Sequence, residues 1–340
     1  MNVNSAYRIG ILCASLILTQ SHTVFAQGVD TPIVDMSPAG LKKAEQAIIE
    51  KARQLIKDQK PISRDEVKKQ LLQPKPQAVA LLPVKTAALP LEEVSTLARK
   101  SNLRVGYCYL CERCDNWHLN LAGGYAIAED VVATCDHVIN SATAMREGYL
   151  IIADHDGNVF PVTAVIARSA AMDAAILKVA DAKFLPLPLN GKVKQGASAF
   201  CYSSPMGQHG YFSDGIVNRF YWNGKYQGGE LEKLDVARHL RVNFSTDWAP
   251  GSSGSAVVDQ AGNAIGHVSE ISGMSKNRET SAYLMVHIGI PAQAIRLLAE
   301  AASNPEEITR LATLEAKEGP SKTPIPKQKA AAPGGKDDGE

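Results

Sequence analysis

Ser253 stands in the stretch DWAPGSSGSAVVD, residues 247–259, where Pro250, two glycines and three serines crowd together just ahead of Ala-Val-Val. A hydroxyl on a bare, glycine-flanked turn can act as a nucleophile. Hydrolysis by serine then needs a base beside it, a carboxylate to hold the base, and backbone N–H groups for the oxyanion. Gly251 and Gly254 tolerate a tight turn, and the N–H groups of Gly251 and Ser253 could converge on one oxygen. The best-placed base is His137, which follows the β-rich run VVATCD. The carboxylate is Asp173 in SAAMDAAILKV, at the mouth of an apolar strand. Asp154 and Asp156 compete, but DHDGN reads as a hairpin turn; Asp181 and Asp214 also look turn-like. The chain order His, Asp, Ser is one of the few known for such a triad.

These residues must be positioned by strands. From LRVGYCYL to NAIGHVSEI the chain runs through eleven short β-rich pieces with turn signals such as Asp156-Gly157 between many of them. Many short strands with little helix between them indicate barrels or a sandwich. Helical spacing is confined to the ends. Residues 37–59 carry Ser37 as N-cap with Pro38 at the first helical position, and 63–72, 91–101 and 291–302 are shorter helices. Residues 73–90 hold four prolines and read as an extended, loose linker. The tail from about 303 onward, rich in Lys, Pro, Ala and Gly beyond 316, reads as largely disordered.

Of the 340 residues, 36 are basic and 35 acidic, so no net field favours nucleic acid. Residues 1–26 have the Arg8, apolar run and Val-Phe-Ala ending of an export signal, predicting a secreted or periplasmic chain with no stable membrane insertion once it is removed. Five cysteines remain after it, an odd number for an oxidising compartment. Cys108, Cys111, Cys114 and His118 have the spacing C-x2-C-x2-C-x3-H, which fits a disulfide, a structural zinc ion or free thiols.

Five blocks together resemble the trypsin-like serine endopeptidases of the chymotrypsin fold, nearest the bacterial HtrA-like and glutamyl-endopeptidase-like branches. They are AGGYAIAEDVVATCDHVI, DAAILKV, SSPMGQHGYFSDGIVN, APGSSGSAVVDQAGNAIGHVS and IGIPAQAIRLL, spread over about 95–302. The resemblance implies an all-β core of two six-stranded antiparallel barrels. His137 and Asp173 would come from the first and Ser253 from the second, with a helical N-terminal extension and a C-terminal helix. It divides the chain into a signal (1–26), a helical extension with a Pro-rich linker (27–90), a protease domain (91–302) and a tail (303–340). His137 would take the Ser253 proton and pass it to the leaving amine, Asp173 would orient the imidazole, and Gly251 and Ser253 N–H would hold the oxyanion. Protein or peptide is the implied substrate, and catalysis would need no cofactor.

Several positions depart from the family pattern. Ser252 replaces the Asp that pairs with a newly cut amino terminus in pancreatic-type enzymes. Val138 follows His137, where a disulfide cysteine is usual. Asp247 occupies the selector position of trypsin-type enzymes, but it could equally cap its turn. Ser269 matches the residue that contacts substrate backbone, and His267 could line the pocket wall. A PDZ module of the HtrA type does not fit into 303–340. The N-terminal helices could be a pro-segment, a partner-binding or self-associating arm, or a solvated spacer. A protease-fold binding protein with little catalysis is the alternative. An esterase elbow is disfavoured because Ser253 comes last in the chain.

Overall fold

The computed structural model describes residues 33–223, 234–274 and 284–318. The expected signal and the far end of the tail lie outside them. Twelve strands form two closed antiparallel barrels. The first comprises β1 (Asn102–Cys111), β2 (Trp117–Ala128), β3 (Val131–Thr134), β4 (Met145–Ala153), β5 (Val159–Ser169) and β6 (Ala174–Val179), in the order β1-β2-β3-β6-β5-β4. The second comprises β7 (Ser198–Ser203), β8 (Tyr211–Trp222), β9 (Leu240–Phe244), β10 (Ala256–Val258), β11 (Ala264–Met274) and β12 (Leu284–Pro291), in the order β10-β11-β12-β9-β8-β7. Closure removes the sheet edges that short strands would otherwise leave unpaired. The fold is chymotrypsin-like, with helices at both ends of the chain.

Each barrel encloses its own core: Leu103, Val105, Leu150 and Leu177 in the first, Val217, Val242, Val257 and Ile265 in the second. A third apolar cluster joins them. Tyr125, Ile127 and Ile176 of the first barrel pack with Phe200, Val258 and Ile290 of the second. This contact fixes the groove between the barrels, where residues from the two halves can meet.

The helical ends are attached to this body. α1 (Pro38–Lys57) begins where Ser37 Oγ accepts the Gly40 N–H at 3.0 Å, and Ile48 and Ala52 pack on Cys108, Ile151 and Ala153. α2 (Arg64–Leu72) is capped by Ser63 and sinks Val67 and Leu71 into the first-barrel core. A solvated spacer would not bury these side chains. Residues 73–90 are extended, as their prolines require, but they are not loose. Lys75 N–H donates to Val165 O at 2.8 Å in the first barrel. Lys85 N–H donates to Asn263 Oδ1 at 2.8 Å, and Leu89 N–H to Gln260 O at 2.8 Å, in the second. α3 (Leu91–Ser101) then leads into β1.

After β12 and α6 (Ala292–Ala301), the expected disordered tail instead carries α7 (Pro305–Glu318). Asn304 Oδ1 accepts the N–H groups of Glu306 and Glu307, an N-cap that composition alone concealed. Ile308 and Leu311 are buried in the inter-barrel cluster, each burial stabilising by about 1.5–3 kcal/mol. Among the described residues no helix is long and apolar enough to cross a membrane.

Candidate active site

β3 ends at Thr134, whose hydroxyl donates to Gly123 O on β2 at 2.7 Å. The chain then makes one helical turn, α4 (Asp136–Ile139), which turns the half-exposed His137 side chain into the groove. Asp173 lies just before β6 with φ +60°, a left-handed conformation that Asp tolerates better than most residues. Its carboxylate accepts the His137 backbone N–H at 3.1 Å and the ring Nδ1–H at 3.0 Å. It also accepts the Ser269 hydroxyl from β11 at 2.6 Å. Burial opposes the carboxylate charge, but the His137 charge and these hydrogen bonds outweigh it and hold Asp173 well below the usual carboxylate range. Burial likewise disfavours imidazolium, yet the Asp173 charge and bond win and raise His137 above the ordinary histidine value. With Nδ1–H committed to Asp173, Nε2 is left as the basic nitrogen.

Ser253 approaches from the second barrel. Its carbonyl accepts the Gly123 N–H of β2 at 2.7 Å, and its hydroxyl donates to Ser269 O at 3.4 Å. Among the described residues the Ser253 hydroxyl makes no hydrogen bond to His137. Such bonds are often long without substrate and tighten in the complex. Ser269 therefore touches Asp173 with its hydroxyl and Ser253 with its carbonyl.

The turn around Ser253 uses its N–H groups selectively. Ser252 N–H donates to Ala249 O at 3.0 Å, Gly254 N–H to Val268 O at 2.8 Å, and Ser255 N–H to Ser252 O at 3.0 Å. Gly251 and Ser253 N–H have no protein acceptor among the described residues. Gly254 has φ +84°, and a Cβ there would stand 2.4 Å from Gly123 O, so only glycine fits. Two unengaged N–H groups beside a hydroxyl can receive an anion. Ser252 is fully buried and bonds Ser203 Oγ at 3.0 Å, which ties the turn to β7.

Beneath Asp173 lies a charged layer that sequence reasoning missed. Asp136 forms a two-pronged ion pair with Arg168, both contacts at 2.7 Å. Arg168 also faces Glu315 of α7 at 3.4 Å, and Arg238 faces Glu315 at 3.7 Å. The Glu315 carboxylate accepts the Ser169 hydroxyl and the Ala170 N–H (2.7 Å), on the turn that delivers Asp173. Glu315 is 146 positions from Ser169, and no local pattern signals that contact.

The remaining candidate residues fall as follows. His267 is fully buried behind the triad and does not line an open wall; its Nε2 donates to the Asp173 carbonyl at 3.2 Å. Burial pushes it down to about 4, so it is neutral near pH 7. Cys135 is buried, with its thiol on Val268 O at 3.0 Å. Asp247 is exposed and accepts the Tyr211 hydroxyl at 3.3 Å. Its neighbour Trp248, not singled out by sequence, is buried and donates Nε1–H to Glu270 O at 3.4 Å. The indole belongs to the second-barrel core, edge-on to Phe244 at 6.0 Å and tilted over His287 at 4.9 Å.

Of the cysteine motif, Cys111, Cys114 and His118 converge, but Cys108 does not join them. It is fully buried against Ile48 and Ile151, which removes the Cys108–Cys114 disulfide option. The five cysteines of the described residues are free thiols.

Comparison with known proteins bears on the same stretch. Residues 122–266, less than half of the chain, match the family model described as a trypsin-like peptidase domain. The match includes His137, Asp173 and Ser253. No curated protein matches the chain.

Proposed function

We propose that this protein is an exported serine endopeptidase in which His137, Asp173 and Ser253 act as base, orienting carboxylate and nucleophile. The observation that carries the reading is the set of contacts across the groove. Asp173 binds His137 within the first barrel and Ser269 in the second, while Ser269 O receives the Ser253 hydroxyl.

In this reading His137 Nε2 removes the Ser253 proton as Oγ attacks the scissile carbonyl. The carbonyl oxygen gains the charge and rests on Gly251 and Ser253 N–H, each worth on the order of 3 kcal/mol by analogy with other such donors. The imidazolium, stabilised by ionised Asp173, gives its proton to the departing amine, leaving an ester on Ser253. Water then repeats the sequence and frees the acid. Residues 91–302 form the catalytic unit, braced by the preceding helices and by α7. The unit groups with the HtrA-like and glutamyl-endopeptidase-like enzymes.

The test is labelling with an organophosphonate probe alongside cleavage of denatured casein. Wild type should be labelled at Ser253 and should cleave; Ser253→Ala should do neither. A protein that binds partners through a protease fold without catalysis would show no labelling and would bind them equally well with Ser253→Ala.

A further inference from the structure

Cys111 ends β1, Cys114 lies in the tight β1–β2 connection, and His118 is the second residue of β2. Tyr109 and His118 are direct cross-strand partners, and the ladder to β4 shifts register between Leu110 and Cys111, where the chain leaves for the connection. Cys108 lies on the outer face of the barrel, where α1 covers it with Ile48 and Ala52. One Sγ from each of Cys111 and Cys114 and one ring nitrogen of His118 lie within 4.8 Å of one another. Cys114 Sγ and His118 Nε2 are 3.2 Å apart. The Arg113 N–H points at Cys111 Sγ from 3.3 Å, a donor that stabilises sulfur in its anionic form.

Other contacts also brace the hairpin. Asp115 pairs with Arg146 on β4 at 2.8 Å, Trp117 meets the Tyr149 ring at 6.3 Å, and Arg53 of α1 lies over Trp117 at 5.9 Å. The sulfur and nitrogen atoms are therefore brought together by the fold itself.

From this geometry we infer that Cys111, Cys114 and His118 form a zinc site distinct from the proposed catalytic groove. Two thiolates and one imidazole suit Zn²⁺ by softness and number, and water or an external donor would complete four-coordination. Binding releases the two thiol protons to solvent and changes no oxidation state. The four-residue motif of the sequence thus divides into three ligands and one core residue.

The test uses the full chain, purified in reductant without chelator, with metal content measured and Co²⁺ titrated as a spectroscopic probe. Wild type should hold one zinc per chain, and Co²⁺ should give thiolate-to-metal absorption. Cys111→Ser, Cys114→Ser and His118→Ala should each weaken binding by more than the about 10–100-fold that loss of an outer-shell partner costs. Cys108→Ala should retain the metal, and circular dichroism on every variant shows that it has folded. The inference is overturned if reduced wild type takes up neither metal, or if metal uptake depends on Cys108 as strongly as on Cys111. Isolation of a metal-free chain with a Cys111–Cys114 disulfide that zinc and reductant do not replace would overturn it as well. None of these readouts depends on proteolysis, so this site and the serine mechanism stand or fall separately.

Discussion

The Ser269 hydroxyl donates to Asp173 Oδ2 at 2.6 Å, a bond that crosses from the second barrel to the first. It supplies the carboxylate with a donor that keeps it ionised, and it fixes β11 against the residue that orients the base. Removing it in Ser269→Ala should cost the fold about 1.5–3 kcal/mol and lower kcat/KM of the folded protein. The loss should be about 10-fold, the scale of one charge-assisted hydrogen bond. Steady-state kinetics on a peptide ester, read beside an unfolding curve, checks this.

The base must be neutral to accept a proton. Because Asp173 raises the His137 pKa, activity should climb with pH through an apparent value above the ordinary 6.5. Asp173→Asn removes the negative charge but leaves the burial, so the same limb should move to lower pH. The rate on the plateau should fall by about 10⁴-fold, as for a triad that has lost its carboxylate. A pH profile of kcat/KM that stays put in the variant would remove Asp173 from the role assigned to it.

His267 makes the fold sensitive to acid. Its folded pKa of about 4 lies below the unfolded value of 6.5, so the unfolded chain binds the proton first. Stability is complete above about pH 6.5 and drains away as pH falls toward 4, by on the order of 3 kcal/mol from this group. His267→Gln, which still offers a donor to the Asp173 carbonyl, should show a smaller loss between pH 7 and pH 4. Denaturant titrations of both proteins at the two pH values give the comparison.

Glu315 acts on the site through the turn at 169–173 and is a positioning residue. Glu315→Ala leaves Arg168 and Arg238 without their shared partner and should destabilise the protein by about 3–5 kcal/mol. Glu315→Gln keeps an acceptor for the Ala170 N–H and should recover part of the kcat, with KM little altered in both. A purely structural role would lower the melting temperature and leave the kcat of the folded fraction unchanged.

The site was legible where residue type and local context coincide. His137, Asp173 and the Ser253 turn each sit at the end of a strand or beside one, and glycine marks the positive φ at 251 and 254, though not at Asp173. The spacing of short apolar runs pointed to barrels or a sandwich, and the resemblance to trypsin-like enzymes chose the two barrels. Contacts between distant segments were not. Glu315 lies in a stretch whose neighbours beyond 316 have a disordered composition, which masked the Asn304 cap and the Ile308/Leu311 pair. The prolines of 73–90 correctly excluded helix and ladder, but they carry no information on whether an extended chain is fastened. Cys108 shared a spacing with Cys111 and Cys114, and what separates it from them is its burial under α1, a contact with a distant segment.

That proline-bearing segment has a mechanical meaning. It is bonded at Lys75 to one half of the molecule and at Lys85 and Leu89 to the other. Sliding or gaping of the halves would have to stretch this extended segment or strip it from one of its moorings. A nick between residues 76 and 84 should uncouple those moorings while leaving both barrels closed.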